Sequence, residues 1–293
     1  MRHRLLIIGA TGFVGSRWAH RAKERFDVIK GARSAADSDD SVAIDITDAV
    51  SVAQAFDRAR PDLVTHLAAL SDIDRCEREP ELAERINYHG ALHVAAECAR
   101  RGARLFYTST DAVFDGSRGR YHEHDEPTPP NWYGQTKARA ERGILERLPS
   151  AVVIRLSLVL GRGFGGAGNS YLEKVAGNLA AGNPIITPTY EVRNPIDVGT
   201  ACRFFEELAL RPDATGIFHI GASDKMSRYD LARAIAMRLG YDPGLIVEQT
   251  APVAGRAPRG RDDFLVTERI RQFCATGVPT CREVIERACD AVA

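Results

Sequence analysis

The chain has 293 residues, 44% of them hydrophobic and 27% charged, the proportions of a globular protein long enough for a sizeable core. Thirty-nine basic and thirty-nine acidic side chains cancel, so no global field recruits nucleic acid or an anionic membrane, and any anion binding must be local. The apolar run Leu5 to Ile8 stops at Gly9, too short for a signal-peptide core or a membrane span, and a cytoplasmic location is the default expectation.

Short β-branched runs then alternate with amphipathic stretches. RLLIIG reads as a first strand, VGSRWAHRAKER as a helix, DVIKGAR as a second strand and VAIDIT as a third. DLVTHLAA reads as a fourth strand, EPELAERINYHGALHVAAECARRG as a long helix and RLFYTST as a fifth strand. AVVIRLSLVLG follows as one further buried strand. Strand and helix in repetition imply parallel pairing with right-handed crossovers, so the expected fold is α/β, a Rossmann-type doubly wound sheet. Past Gly161 the texture changes to a glycine-rich loop, GRGFGGAGNS, a proline-rich irregular stretch, and mixed short elements. The expected division is a Rossmann domain over residues 1–165, rejoined at about 193–220, with the remainder of 166–293 forming a small mixed lobe that binds substrate. The six cysteines, Cys76, Cys98, Cys202, Cys274, Cys281 and Cys289, contain no Cys-x-x-Cys pair and read as reduced thiols. The His122, Glu123, His124, Asp125 cluster reads as a solvated loop, and no metal is expected.

IIGATGFVG places Gly9, Gly12 and Gly15 between the first strand and the first helix. Glycines there permit a tight turn, let backbone N–H groups approach a pyrophosphate, and let the helix pack on the strand. The helix N-terminus favours the anion. At the end of the second strand an acidic side chain would select a ribose 2′-hydroxyl, whereas an arginine accommodates a 2′-phosphate. KGARS supplies Arg33 and Ser34, favouring NADP(H), while Asp37 keeps NAD open. Asp45 suits either acceptance from an adenine amino group or a helix cap.

PPNWYGQTKARAE carries Tyr133 and Lys137 at i and i+4, which share one helix face. Lysine is scarce here, five against thirty-four arginines. A nearby ammonium is expected to stabilise a phenolate and draw the tyrosine pKa down from about 10. Thr110 ends the fifth strand, at the sheet edge where ligands bind, with a hydroxyl suited to a substrate carbonyl or to capping the loop. Three groups would then converge on one oxygen.

With the glycine turn, the Thr110 strand end and Tyr-x-x-x-Lys together, the chain resembles the extended short-chain dehydrogenase/reductases. STDAVFDG, YHEHDEPTPPNWYGQTKARAE, RLSLVLG and RGRDDFLVTERI narrow the resemblance to the dTDP-4-dehydrorhamnose reductase family, over almost the entire chain. That resemblance implies an NADP-dependent reductase of a nucleotide-activated keto sugar. Tyr133 would protonate the ketone oxygen, Lys137 would lower the tyrosine pKa and hold the nicotinamide ribose, and Thr110 would orient the carbonyl. The cofactor would lie along Gly9, Thr11, Gly12, Phe13, Val14, Gly15, Arg33, Ser34, Asp45, Ile46, Ala68 and Ala69, with Tyr133 and Lys137 at its reactive end. Asp111, Arg193 and Arg259 would meet the substrate, the two arginines at its diphosphate.

Two departures bear on the sugar: Ala112 stands where the rhamnose reductases usually carry tyrosine, and Gly260 replaces a usual proline. Ala112 also argues against the dehydratases that use Thr-Asp-Glu. The same family includes the beta subunit of methionine adenosyltransferase, so a cofactor-binding regulatory subunit is the alternative, and a sugar-nucleotide epimerase a third reading. The expected partner is a small-molecule nucleotide sugar, with no nucleic acid or membrane, and a homodimer as the assembly to test.

Overall fold

The computed structural model describes residues 2–35, 38–166 and 170–290. The chain opens with β1 (Arg4–Ile8), α1 (Phe13–Ala22), β2 (Asp27–Ala32), β3 (Ser41–Ala43), α2 (Ala49–Ala59) and β4 (Leu63–His66). Next come α3 (Ile73–Arg78) and α4 (Pro80–Ala83), joined through a π-helical stretch, Glu84–His89, to α5 (Gly90–Arg101). β5 (Arg104–Thr110), α6 (Trp132–Arg147), β6 (Val152–Leu156), β7 (Val159–Leu160) and α7 (Tyr171–Ala180) follow. The remainder comprises β8 (Ile185–Pro188), β9 (Val192–Arg193), β10 (Ile196–Asp197), α8 (Val198–Ala209), β11 (Gly216–Ile220), β12 (Met226–Ser227) and α9 (Arg228–Arg238). β13 (Ile246–Gln249), α10 (Ile270–Phe273) and α11 (Cys281–Asp290) end it.

Seven strands form one parallel sheet in the order β11-β6-β5-β4-β1-β2-β3. The winding direction reverses at β1, which opens a crevice at the C-terminal ends of β1 and β4, the place where open α/β sheets bind ligands. Because the sheet is covered on both faces, its strands read as continuous apolar runs. Leu5, Ile7 and Val28 pack on one face with Trp18 of α1 and Phe205 of α8. Leu6, Ile8 and Ile29 pack on the other with Phe56 of α2 and Val94 of α5. Trp18 meets Phe26 and Phe205 edge-on and donates its indole N–H to Thr65 at 3.1 Å, so α1 is fixed in both rotation and height. This is the expected doubly wound architecture.

Two local expectations give way to tertiary context, and one element forms where none was assigned. The third strand is shorter than VAIDIT, pairing only through Ser41–Ala43, because Asp45 turns the chain by accepting from the Thr47 backbone N–H. Between the third and fourth strands, where the sequence reading assigns no element, α2 forms, buries Val52, Ala55, Phe56 and Ala59 at helical spacing, and is capped by Asp48. The single strand expected over AVVIRLSLVLG breaks after Leu156: Ser157 donates its N–H to Ile220, and β7 leaves the main sheet to pair with β10.

The chain re-enters the central sheet at β11, parallel to β6. The pairs β8–β13 and β9–β12 build a small mixed lobe with α7 and α9. Its Leu172, Leu231 and Ile246 join the same apolar cluster as Leu5 and Trp18, so core packing runs unbroken from sheet to lobe. Among the described residues no helix is long and apolar enough to cross a membrane. All six cysteines are free and buried.

Candidate active site

A cleft of about 840 Å³ runs along the C-terminal ends of the strands and up to the lobe. Its floor at one end is the glycine turn. Gly9 has φ +91°, and a Cβ there would sit 2.8 Å from the Ala68 nitrogen; one on Gly15 would sit 2.1 Å from the Gly9 carbonyl oxygen. Those two glycines are demanded by the protein's own packing. Gly12 is not so constrained, since a Cβ there meets nothing nearer than 3.4 Å, so what glycine leaves open at this point is space in the cleft. Gly12 caps α1 with no side-chain hydrogen bond and no acid in the first turn, leaving the helix's N–H groups and dipole available to an anion.

Thr11, Phe13, Val14, Arg33, Asp45, Ile46, Ala68 and Ala69 all line this cleft with the three glycines. Ser34 does not: β2 ends at Ala32, and the turn that brings Arg33 to the cleft carries Ser34 past it. Asp37 lies outside the described residues. Asp45 is not a helix cap, because Asp48 fills that place by accepting from the Val50 N–H at 2.9 Å. Asp45 instead accepts from the Thr47 N–H and hydroxyl at 2.9 and 2.8 Å, and these bonds hold its carboxyl below the usual range, ionised and facing the cleft.

The reacting end is built by β5 and α6. Asn131 caps α6 by accepting from the Gly134 N–H at 2.9 Å. Gly134 lies against the turn after β5, where a Cβ would come within 2.1 Å of the Ala112 carbonyl oxygen. That contact draws the first turn of α6, with Tyr133, against the end of β5. Of the two roles expected of Thr110, the structure shows the loop cap. Its hydroxyl accepts from the Ala112 N–H at 3.1 Å, capping the short 3-10 turn Asp111–Val113, and it lines the cleft beside Tyr133.

Tyr133 and Lys137 share the cleft, but their protonation departs from the sequence expectation. Burial raises the Tyr133 phenol above its ordinary 10.0; the Thr110 hydroxyl pulls it down and the Asp111 carboxylate pushes it further up. Lys137 donates to the Thr108 carbonyl at 2.7 Å and sits 4.1 Å from the centre of the Tyr107 ring. Burial lowers its pKa to about 7, against the opposing pull of Glu141. In the protein alone, then, Lys137 does not draw the phenol's pKa down. Desolvation of both groups outweighs their i, i+4 proximity.

Beside them lies a charge cluster that crosses from sheet to lobe. Arg193 Nε is 3.5 Å from Asp111, and Arg193 Nη2 is 2.8 Å from Asp263. Ser157 donates to Asp111 at 3.2 Å and Thr110 at 3.1 Å. One guanidinium thus serves two buried carboxyls, and burial pushes both of them upward, Asp263 to about 8. Arg259 also lines the cleft, with both terminal nitrogens on Asp74 at 3.1 and 2.7 Å.

Sequence reasoning missed Ser157, Tyr171, Glu191 and Arg228, which line the cleft from irregular segments or helix starts with no motif to mark them. It also missed Asn87. Within the π-helical stretch, Asn87 accepts from the Leu70 N–H at 2.8 Å and donates to the Leu70 carbonyl at 3.0 Å, fixing the cleft wall.

Comparison with known proteins accords with this geometry. The family model described as the RmlD substrate binding domain matches residues 3–293. A probable low-salt glycan biosynthesis reductase of Haloferax volcanii is 32% identical over 283 residues, covering 94% of each chain. Methionine adenosyltransferase 2 subunit beta of Pongo abelii is 32% identical over 243 residues, covering 80% of this chain and 71% of that protein. Among solved structures, dTDP-4-dehydrorhamnose reductase from Bacillus anthracis in complex with NADP superposes with a TM-score of 0.90 at 25% identity, covering 99% of both chains. With the match extending over residues 3–293, the chain belongs to the RmlD substrate-binding-domain family and so to the extended short-chain dehydrogenase/reductases.

Proposed function

We propose that the protein is an NADP(H)-dependent reductase of a nucleotide-activated keto sugar. The observation that supports this reading is that Thr110, Tyr133 and Lys137 line the same cleft as the open glycine turn. The residues present fit a dinucleotide. The α1 N-terminus and the space at Gly12 suit a pyrophosphate, and Arg33 suits a 2′-phosphate. When bound, NADPH supplies hydride to the ketone carbon.

The protein's own groups do the rest. Tyr133 donates its phenolic proton to the carbonyl oxygen as negative charge develops there, and Thr110 holds that oxygen in line by turning its hydroxyl proton from Asp111 onto it. The raised phenol pKa keeps Tyr133 protonated before reaction, as a proton donor must be. Lys137 then offers the resulting phenolate a nearby cation, since a negative oxygen beside it favours the ammonium form. The small Ala112 leaves room next to Thr110 where a tyrosine would stand in the rhamnose reductases, and so bears on which sugar is accepted.

A second reading, a cofactor-binding regulatory subunit, is favoured by the 32% identity to methionine adenosyltransferase 2 subunit beta. NADPH absorbance followed with dTDP-, UDP- and GDP-linked 4-keto sugars separates the two. Turnover of one of them supports the reductase; tight NADPH binding without turnover across the set supports the regulator.

A further inference from the structure

Five arginines line the cleft, and they differ in what already holds them. Arg75 is tied to Glu79 at 2.9 Å, Arg193 to Asp111 and Asp263, and Arg259 to Asp74 at 2.7 Å. Arg33 stands at the far end, after β2. Arg228 has no ion pair among the described residues, and its Nε is buried without an acceptor. Its guanidinium carbon lies 4.2 Å from the centre of the Tyr171 ring, a stack that orients the planar fork without neutralising it.

The backbone beneath this pair is fixed. Arg228 opens α9, where Ser227 accepts from the Asp230 N–H at 3.0 Å, and the Arg228 N–H donates to the Glu191 carbonyl at 2.8 Å. Tyr171 opens α7, whose Ser170 and Glu173 form a capping box. The Glu191 carboxylate is already engaged, accepting from Arg256 Nη2 at 3.3 Å. A guanidinium held partly out of water with no counter-charge costs free energy unless an anion meets it.

Building on the sugar-nucleotide reading of the cleft, we propose that Arg228, oriented by Tyr171, binds the diphosphate of the nucleotide sugar. Arg193 is poorly suited to that task, because its Nη1 already donates to the Val192 and Gly260 carbonyls and its Nε and Nη2 face Asp111 and Asp263. Arg259 would have to leave Asp74 to take part. A carboxylate on the sugar would suit the Arg228 fork equally, and the test separates the two sources.

The test titrates the NADP-saturated protein calorimetrically with UDP, dTDP and GDP, with the matching nucleosides, and with glucuronate. At least one nucleoside diphosphate should bind. Arg228→Met should weaken it by about ten- to a hundred-fold, the scale of a lost charge-assisted hydrogen bond. Nucleoside and NADP affinities should hold, and Arg228→Lys should restore part of the loss. Undiminished diphosphate affinity in Arg228→Met overturns the proposal. So does an equal loss for the nucleoside, which marks a disturbed lobe, or a loss confined to glucuronate, which moves the anion to the sugar. Wild-type protein that binds none of the diphosphates overturns it as well. Failure of the reductase reading looks different: Arg228→Met weakens the diphosphate as expected, yet no keto sugar nucleotide oxidises NADPH.

Discussion

Lys137 Nζ donates a 2.7 Å hydrogen bond to the backbone carbonyl of Thr108, which turns the ammonium onto the end of β5 and out of water. Burial is the chief reason its pKa falls from the ordinary 10.5 to about 7. Between those values the unfolded chain binds a proton that the folded protein has released, so this group makes stability rise with pH. Lys137→Met removes the titration. The melting temperature of the wild type relative to that variant should therefore climb from about pH 7 to 10.5. A difference that stays flat across the window contradicts the burial account.

The Asp111–Arg193–Asp263 cluster makes the opposite prediction. Asp263 faces Arg193, Asp111, Glu191 and Asp262, and burial raises it from 3.8 to about 8. Between these values the folded protein holds a proton that the unfolded chain has lost. The contribution is full below about 3.8 and disappears as the pH rises through about 8. Compared with Asp263→Asn, which cannot ionise, the wild type should lose melting temperature across that window. Arg193→Met removes the cation from both carboxyls and should cost up to about 3–5 kcal/mol where both are ionised and less where Asp263 holds its proton, measured by urea unfolding across the same pH window.

Gly134→Ala tests whether the close approach of α6 to β5 sets the site. The added Cβ would meet the Ala112 carbonyl oxygen at 2.1 Å, a backbone atom that cannot rotate aside. We expect a stability loss of about 1–3 kcal/mol, typical of overpacking, together with a lower kcat as Tyr133 is moved from Thr110. Unchanged kcat in a folded Gly134→Ala protein would show that the contact does not position the phenol.

Arg33 lines the cleft just past the end of β2, where the 2′ position of an adenosine ribose is read. Arg33→Ala should weaken NADPH binding by about tenfold or more while leaving NADH nearly unaffected, because only NADPH carries the 2′-phosphate. Equal losses for the two cofactors, read by fluorescence titration, would remove the basis for NADP preference.

Much of the architecture was legible because it is written locally. The Gly9–Gly15 turn, the apolar β1, β4 and β5 runs, and the i, i+4 spacing of Tyr133 and Lys137 are all short-range patterns. The pattern weakens where long-range partners decide. The run from Ala151 to Gly161 looks like one strand, and only pairing with β11 and β10 splits it. Asp263, Arg193 and Asp111 are separated widely in sequence, and nothing in their neighbours announces that they meet. The spacing of Tyr133 and Lys137 accounts for both lining the cleft but not for the direction of their pKa shifts. Those depend on how much water the surrounding chain excludes, which is a tertiary quantity.

The central claim is that the Tyr133 phenol delivers the proton in a hydride-transfer reaction on a nucleotide-activated ketone. The most direct measurement compares steady-state NADPH oxidation and NADPH affinity in wild type and Tyr133→Phe, using the 4-keto sugar nucleotide that the wild type turns over. The account predicts a fall in kcat of about a hundred- to ten-thousand-fold with NADPH affinity nearly unchanged. Near-normal turnover in Tyr133→Phe would contradict it.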